Sequence, residues 1–189
     1  FKDNKSANGA GVHITDNTIR DCSTMITAFN LFIKFYNNEN YFNDKVSQII
    51  RGNTFMNIRS SQNWQTALIR TSGIANVSDN HFIDCTQQFV LVYGENFTFS
   101  NNIGKKINTN TEWLSPVILI KSPTGINTFT GNTINAPYST FVSLEGNSSC
   151  SFTGNTITGK TFYSRVDRTN STASVKIQGN TIQCATITN

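Results

Sequence analysis

Phe152-Thr153-Gly154-Asn155-Thr156-Ile157 recurs in near-copies from one end of the chain to the other. Copies begin at Ile14, Ile50, Val77, Phe129 and Ile177, and a shortened one reads Phe99-Ser100-Asn101-Asn102-Ile103. The repeat asparagines are Asn17, Asn53, Asn80, Asn102, Asn132, Asn155 and Asn180, separated by 36, 27, 22, 30, 23 and 25 residues. That period is the range of stacked repeat architectures. In each full copy an apolar residue stands three places before the asparagine and another two places after it, with polar residues or glycine between. The pattern is strand, turn, strand. Gly-Asn, Asp-Asn and Asn-Asn pairs accept a left-handed backbone, so the chain can bend there without a Cβ penalty. An asparagine repeated at one place in every coil can hydrogen-bond to those above and below it, forming a ladder.

Between the copies lie short β-branched and aromatic runs: Ala67-Leu68-Ile69-Arg70, Phe89-Val90-Leu91-Val92-Tyr93, Val117-Ile118-Leu119-Ile120-Lys121 and Phe141-Val142-Ser143-Leu144-Glu145. Each ends in a polar residue or Tyr93 and is soon followed by a turn. Two or three strands per coil, like residue over like residue, predict an all-β fold. The expected form is a single-stranded right-handed parallel β-helix of about seven coils, occupying residues 1–189 as one domain.

The repeat resembles that of the pectin-lyase-like superfamily over residues 12 to 184. Phe1-Lys2-Asp3-Asn4, followed by Gly9-Ala10-Gly11-Val12-His13-Ile14, is similar to the paired F-x-x-N and G-G-A-I motifs of polymorphic surface proteins, with Gly9-Ala10-Gly11 departing from Gly-Gly-Ala. The resemblance implies a choice between polysaccharide lyases or hydrolases, tailspikes, epimerases, adhesins and surface proteins without enzymatic activity.

Charged residues make up 14% of the chain, against about a quarter in ordinary domains. The exterior must be built from its 26 asparagines and many Ser and Thr. This favours an extracellular, cell-surface or virion-appendage setting. A net charge of +4 without a run of like charges argues against nucleic-acid partners, and no segment has the length of an apolar membrane span. The chain opens at Phe1 and closes in strand-like Cys184-Ala185-Thr186-Ile187-Thr188, so a fragment of a longer protein, or self-association through the solenoid ends, is expected.

Arg70, Tyr93, Lys121 and Glu145 stand nine to eleven places before the asparagines of their coils and are expected to stack as one outward row. Trp64 and Trp113 precede two of the same strands. Such a row offers aromatic platforms and orienting charges to a glycan; equally, strand-end polar groups can simply face water. Asn76, Asn96, Asn147 and Asn170 head N-glycosylation sequons, which a chain of this composition also generates by chance. Of the cysteines, Cys22 and Cys85 lie two coils apart, about 10 Å at the rung spacing and beyond disulfide reach. Cys150 and Cys184 lie in neighbouring coils and are the candidate bridge; small core thiols are the alternative.

Neither paired carboxylates nor the superfamily's aspartate doublet, Gly-His-Gly or Asp-Pro-His-Asp is present. No Cys/His spacing suggests a metal, and no cofactor is expected. Asp16 and Asp79 read as turn residues, and His13 and His81 as solvent-side positions. The leading expectation is a non-enzymatic extracellular module for structure, adhesion or assembly, with glycans or other surface proteins as partners. The alternative is a tailspike-like carbohydrate-binding or depolymerising protein.

Overall fold

The computed structural model describes residues 12–21, 23–24, 33–34, 47–60, 67–71, 74–107, 115–122, 124–165 and 173–188. They form a parallel β-solenoid with no helix among them. One sheet, face 1, holds seven strands: Val12–Thr15, Ser47–Arg51, Ile74–Ser78, Thr98–Ser100, Ile126–Thr130, Ser149–Thr153 and Val175–Gln178. Face 2 begins after each repeat asparagine with Thr18–Arg20, Thr54–Met56, His81–Cys85 and Ile103–Lys106, and continues in the first halves of Thr133–Leu144, Thr156–Arg165 and Thr181–Thr188. The second halves of those long strands turn the corner onto face 3. There they extend the series Ile33–Lys34, Ala67–Thr71, Gln88–Val92 and Ile118–Ile120.

Seven ladder asparagines bound six intervals. The first, between Asn17 and Asn53, falls largely outside the described residues, and the described chain completes about five turns rather than the seven expected.

The bend before each asparagine is left-handed. Asp16, Gly52, Asp79, Asn101, Gly131, Gly154 and Gly179 have φ between 54° and 67°. This conformation costs a β-branched residue most, and Asp, Asn and Gly least. In the earlier coils a second left-handed residue, Asp21, Asn57 or Asp84 (φ 54°, 53° and 51°), sharpens the end of face 2. The coils of Asn132, Asn155 and Asn180 lack it, and their strands run unbroken onto face 3.

The asparagines stack by a constant rule. The main-chain N–H and Nδ2 of each donate to Oδ1 of the next: 3.0 and 3.0 Å from Asn17 to Asn53, 2.9 and 3.0 Å from Asn53 to Asn80, and 3.0 and 3.0 Å from Asn80 to Asn102. The series continues to Asn132, Asn155 and Asn180. The other Nδ2 proton goes to the carbonyl of the inward residue that precedes the previous bend, as from Asn80 to Ile50 and from Asn102 to Val77, both 2.9 Å. The five inner carboxamides thus use both donors and both acceptor lone pairs, which makes their burial tolerable.

Inside, the residues three before and two after the asparagines of the inner coils form the core. Ile50, Val77, Phe99, Phe129, Phe152 and Phe55 have no exposed surface. Phe55 stacks on Phe82 at 5.1 Å and Phe129 on Phe152 at 4.8 Å between centroids. Burying each such ring contributes about 1.5–3 kcal/mol. Gly104 stands where its neighbours carry Phe82 and Ile134. The Phe89 ring fills the gap, 4.4 Å from Phe82 and close enough that a Cβ on Gly104 would meet Phe89 Cε2 at 2.5 Å.

The expected Cys150–Cys184 bridge is not formed. Cys150 pairs in register with Val175 on face 1, whereas Cys184 pairs with Gly159 on face 2, so adjacent coils place the thiols on different walls. Both are free, as is Cys85; burial raises the Cys150 thiol to about 12 and the Cys85 thiol to about 11.

Candidate functional site

The outer surface of face 3 carries the residues expected to form a row. Register places Val92 beside Ile120 and Ile120 beside Leu144, so the next residues, Tyr93, Lys121 and Glu145, follow one another up the stack. Main-chain bonds from Lys121 N to Val92 O (2.8 Å) and from Glu145 N to Ile120 O (2.7 Å) fix them. Arg70 departs from the expected row. It pairs with Leu91, two residues before Tyr93, because its strand carries one more residue, Thr71, before its end. The offset is diagonal and on the same side, and the guanidinium lies over the Tyr93 ring with Cζ 4.4 Å from the centroid. The next rungs are joined by an ion pair, Lys121 Nζ to Glu145 Oε2 at 3.2 Å.

Exposure divides these four. Arg70 and Tyr93 are 8% and 7% exposed and lie with Ala67, Leu91 and Leu119, which form an apolar cluster separate from the main core. The side chains of Lys121 and Glu145 are 28% and 40% exposed. The cationic charge at Lys121 is balanced on the next rung and the Arg70 charge is set against an aromatic face, so the arrangement is a stacked polar seam. Its accessible part is the Lys121 and Glu145 pair. Trp64 and Trp113, expected beside this row, lie outside the described residues, as do Asn170 and Cys22.

A second polar group lies at the inner corner between faces 2 and 3. Lys105 points outward to Asp84, 2.8 Å away, while Lys106 points inward and is 2% exposed. Its Nζ meets Ser139 Oγ at 3.1 Å. Ser139 is brought inward by a bulge between Ala136 and Thr140, where the strand carries more residues than its neighbour. Desolvation lowers the Lys106 ammonium from 10.5 to about 8. In the sequence Lys106 follows Lys105, and such a pair reads as surface. The signal that locates it is its spacing of four from Asn102, an inward position shared with Ala136, Gly159 and Cys184. An amine of this pKa is partly neutral near pH 8 and chemically competent as a base or nucleophile. Among the described residues it is enclosed beside Cys85 and Ser139.

Among the described residues no three His, Cys, Asp or Glu side chains gather to hold a metal ion, and no helix is long and apolar enough to cross a membrane. Comparison with protein-family models, curated protein sequences and solved structures finds no match to this chain. What the fold defines is a class: a parallel β-solenoid held by a continuous internal asparagine ladder.

Proposed function

We propose that this chain is a rigid rod-like module of an extracellular surface or appendage protein, serving structure, adhesion or assembly without catalysis, in the pectin-lyase-like β-helix class. The observation that carries the reading is the unbroken ladder from Asn17 to Asn180. Six successive carboxamide steps couple every rung to the next through satisfied hydrogen bonds, so local bending would strand buried polar groups. A neutral exterior supports the location: face 1 presents Thr98 and Ser100, Thr128 and Thr130, Ser151 and Thr153 at its outward positions. The test combines surface labelling of intact source cells or particles with incubation on acidic and neutral polysaccharides. Labelled protein and unchanged polymers are the expected result; new reducing ends or unsaturated products would overturn the reading.

The Lys121 and Glu145 pair, half-exposed beside Arg70 and Tyr93, favours a second reading in which the face 3 seam binds a glycan. Equal retention of the wild type and a Lys121→Ala/Glu145→Ala variant on immobilised acidic polysaccharides would exclude it.

A further inference from the structure

Three exposed asparagines on face 1 or at the corner that leads into it stand apart from the ladder. Each ladder Nδ2 is engaged in the stack. The carboxamides of Asn76, Asn96 and Asn147 are exposed, and none of their Nδ2 atoms donates a hydrogen bond among the described residues. Two of them are instead held through oxygen: Asn96 Oδ1 accepts from Ile126 N at 3.3 Å, and Asn147 Oδ1 accepts from Arg165 Nη2 at 3.2 Å. That fixes the carboxamide and leaves its nitrogen unengaged. Each heads a sequon, with Ser78, Thr98 or Ser149 at the third position.

The register sets these three on one side of the rod, Asn76 on face 1 and the other two at the corner that leads into it. Asn76 lies on face 1 beside Ile49 and Thr98. Asn96, with φ 57°, lies at the bend that enters the Thr98 strand, opposite Ile74 on one side and Ile126 on the other. Asn147 precedes the Ser149 strand; Ser149 pairs with Ile126, so Asn147 stands two residues before the Asn96 position, further out on the same corner. From the rung spacing and the rise per residue, Asn76 and Asn96 are roughly 8 Å apart. Ile74 and Ile126 are 47% and 59% exposed, beside the outward Asn76, Thr98 and Thr128. Exposed isoleucines flanking an acceptor asparagine form a platform that the first sugars of an attached chain would cover.

We propose that Asn76, Asn96 and Asn147 carry N-linked oligosaccharides, making face 1 and its leading corner the sugar-covered side of the rod. The inference rests on the extracellular reading above. In the transfer step Nδ2 forms a bond to C1 of the sugar, and the C1–O bond to a lipid-linked pyrophosphate donor breaks. The lipid pyrophosphate departs and one amide proton is lost to base. Asn4 and Asn170 head further sequons outside the described residues.

The experiment takes the full protein from its source, labels surface-accessible molecules, and releases N-glycans enzymatically in ¹⁸O water before peptide mass spectrometry. The expected result is ¹⁸O-marked aspartate at positions 76, 96 and 147. Unmarked asparagines in surface-labelled protein would overturn the sugar-covered face and leave the rod reading standing; protein that is neither labelled nor marked would overturn both. A Thr98→Val variant, which keeps Asn96 and its bond to Ile126, separates sugar from structure. Expressed with a secretion signal, it is expected to lose one glycan mass and remain folded; an unchanged mass would overturn the assignment of Asn96.

Discussion

Asn80 and Asn102 share a carboxamide bridge with no exposure to water: the N–H and Nδ2 of Asn80 each reach Oδ1 of Asn102 at 3.0 Å, and both residues are fully buried. Replacing Asn102 with Ala strands the main-chain N–H of Asn80, one of its Nδ2 protons and Val77 O, while Asn132 Oδ1 keeps only the bond from the main-chain N–H of residue 102. At about 1–3 kcal/mol for an unsatisfied buried group, the loss should be at least about 3 kcal/mol in urea unfolding. Asn102→Asp should be no better, because it removes the donors and buries a carboxylate. Wild-type stability in either variant would deny the ladder its structural role.

Gly104→Ala should destabilise the protein by about 1–3 kcal/mol through overpacking, since the added Cβ meets Phe89 Cε2 at 2.5 Å. Phe89→Leu in the same chain should recover part of the loss. Thermal melts of the single and double variants measure the coupling, and simple additivity would mean that Phe89 does not fill the glycine gap.

Lys106 gives a pH dependence of definite sign. Its folded pKa, about 8, lies below the unfolded value of 10.5. Between these values the unfolded chain binds more protons, so this group's contribution to stability rises with pH, by roughly 3 kcal/mol over the window. The buried thiols act oppositely above about 9, where the unfolded cysteines lose protons that Cys85 and Cys150 retain. The informative quantity is therefore a difference. Lys106→Met should be more stable than wild type at pH 7, and the advantage should shrink toward pH 10. Urea titrations of both proteins at each pH measure it, and a constant offset would contradict the origin assigned to the shift.

The same burial predicts slow thiol chemistry. Cys85 and Cys150 should resist alkylation in native protein and react fully in denaturant, while Cys184, more open to solvent, should react first. Peptide mass spectrometry after timed alkylation reads the order; early labelling of Cys150 would mean that face 1 opens locally.

On face 3, Lys121→Ala should change stability by less than about 1 kcal/mol, as for an exposed ion pair. Arg70→Ala should cost more, about 1–2 kcal/mol, because the guanidinium is buried against Tyr93. Melting curves test the difference. A Lys121→Ala melt within that range also makes this the suitable variant for glycan retention assays.

The fold was legible because the left-handed bend and the following asparagine recur in the sequence with the apolar residues that face inward. Residue type, backbone conformation and burial coincide at Gly154, Asn155 and Ile157. The seam on face 3 was harder to read. Counting back from the asparagines put Arg70 in line with Tyr93, yet loop lengths vary between coils and the true register sets Arg70 beside Leu91. Lys106 was hidden for a related reason: a lysine after a lysine reads as surface, and only its distance from Asn102 shows that it faces inward. Neighbouring coils also suggested joining Cys150 to Cys184, but closeness along the rod axis does not put two thiols on one wall.

Hydrogen exchange along the whole chain tests the rigid-rod claim most directly. The account predicts that the main-chain amides of Asn53, Asn80, Asn102, Asn132 and Asn155, each bonded to the next carboxamide, exchange together at a rate set by global unfolding. Fast exchange at a middle rung such as Asn102, while its neighbours stay protected, would show a hinge and contradict the claim.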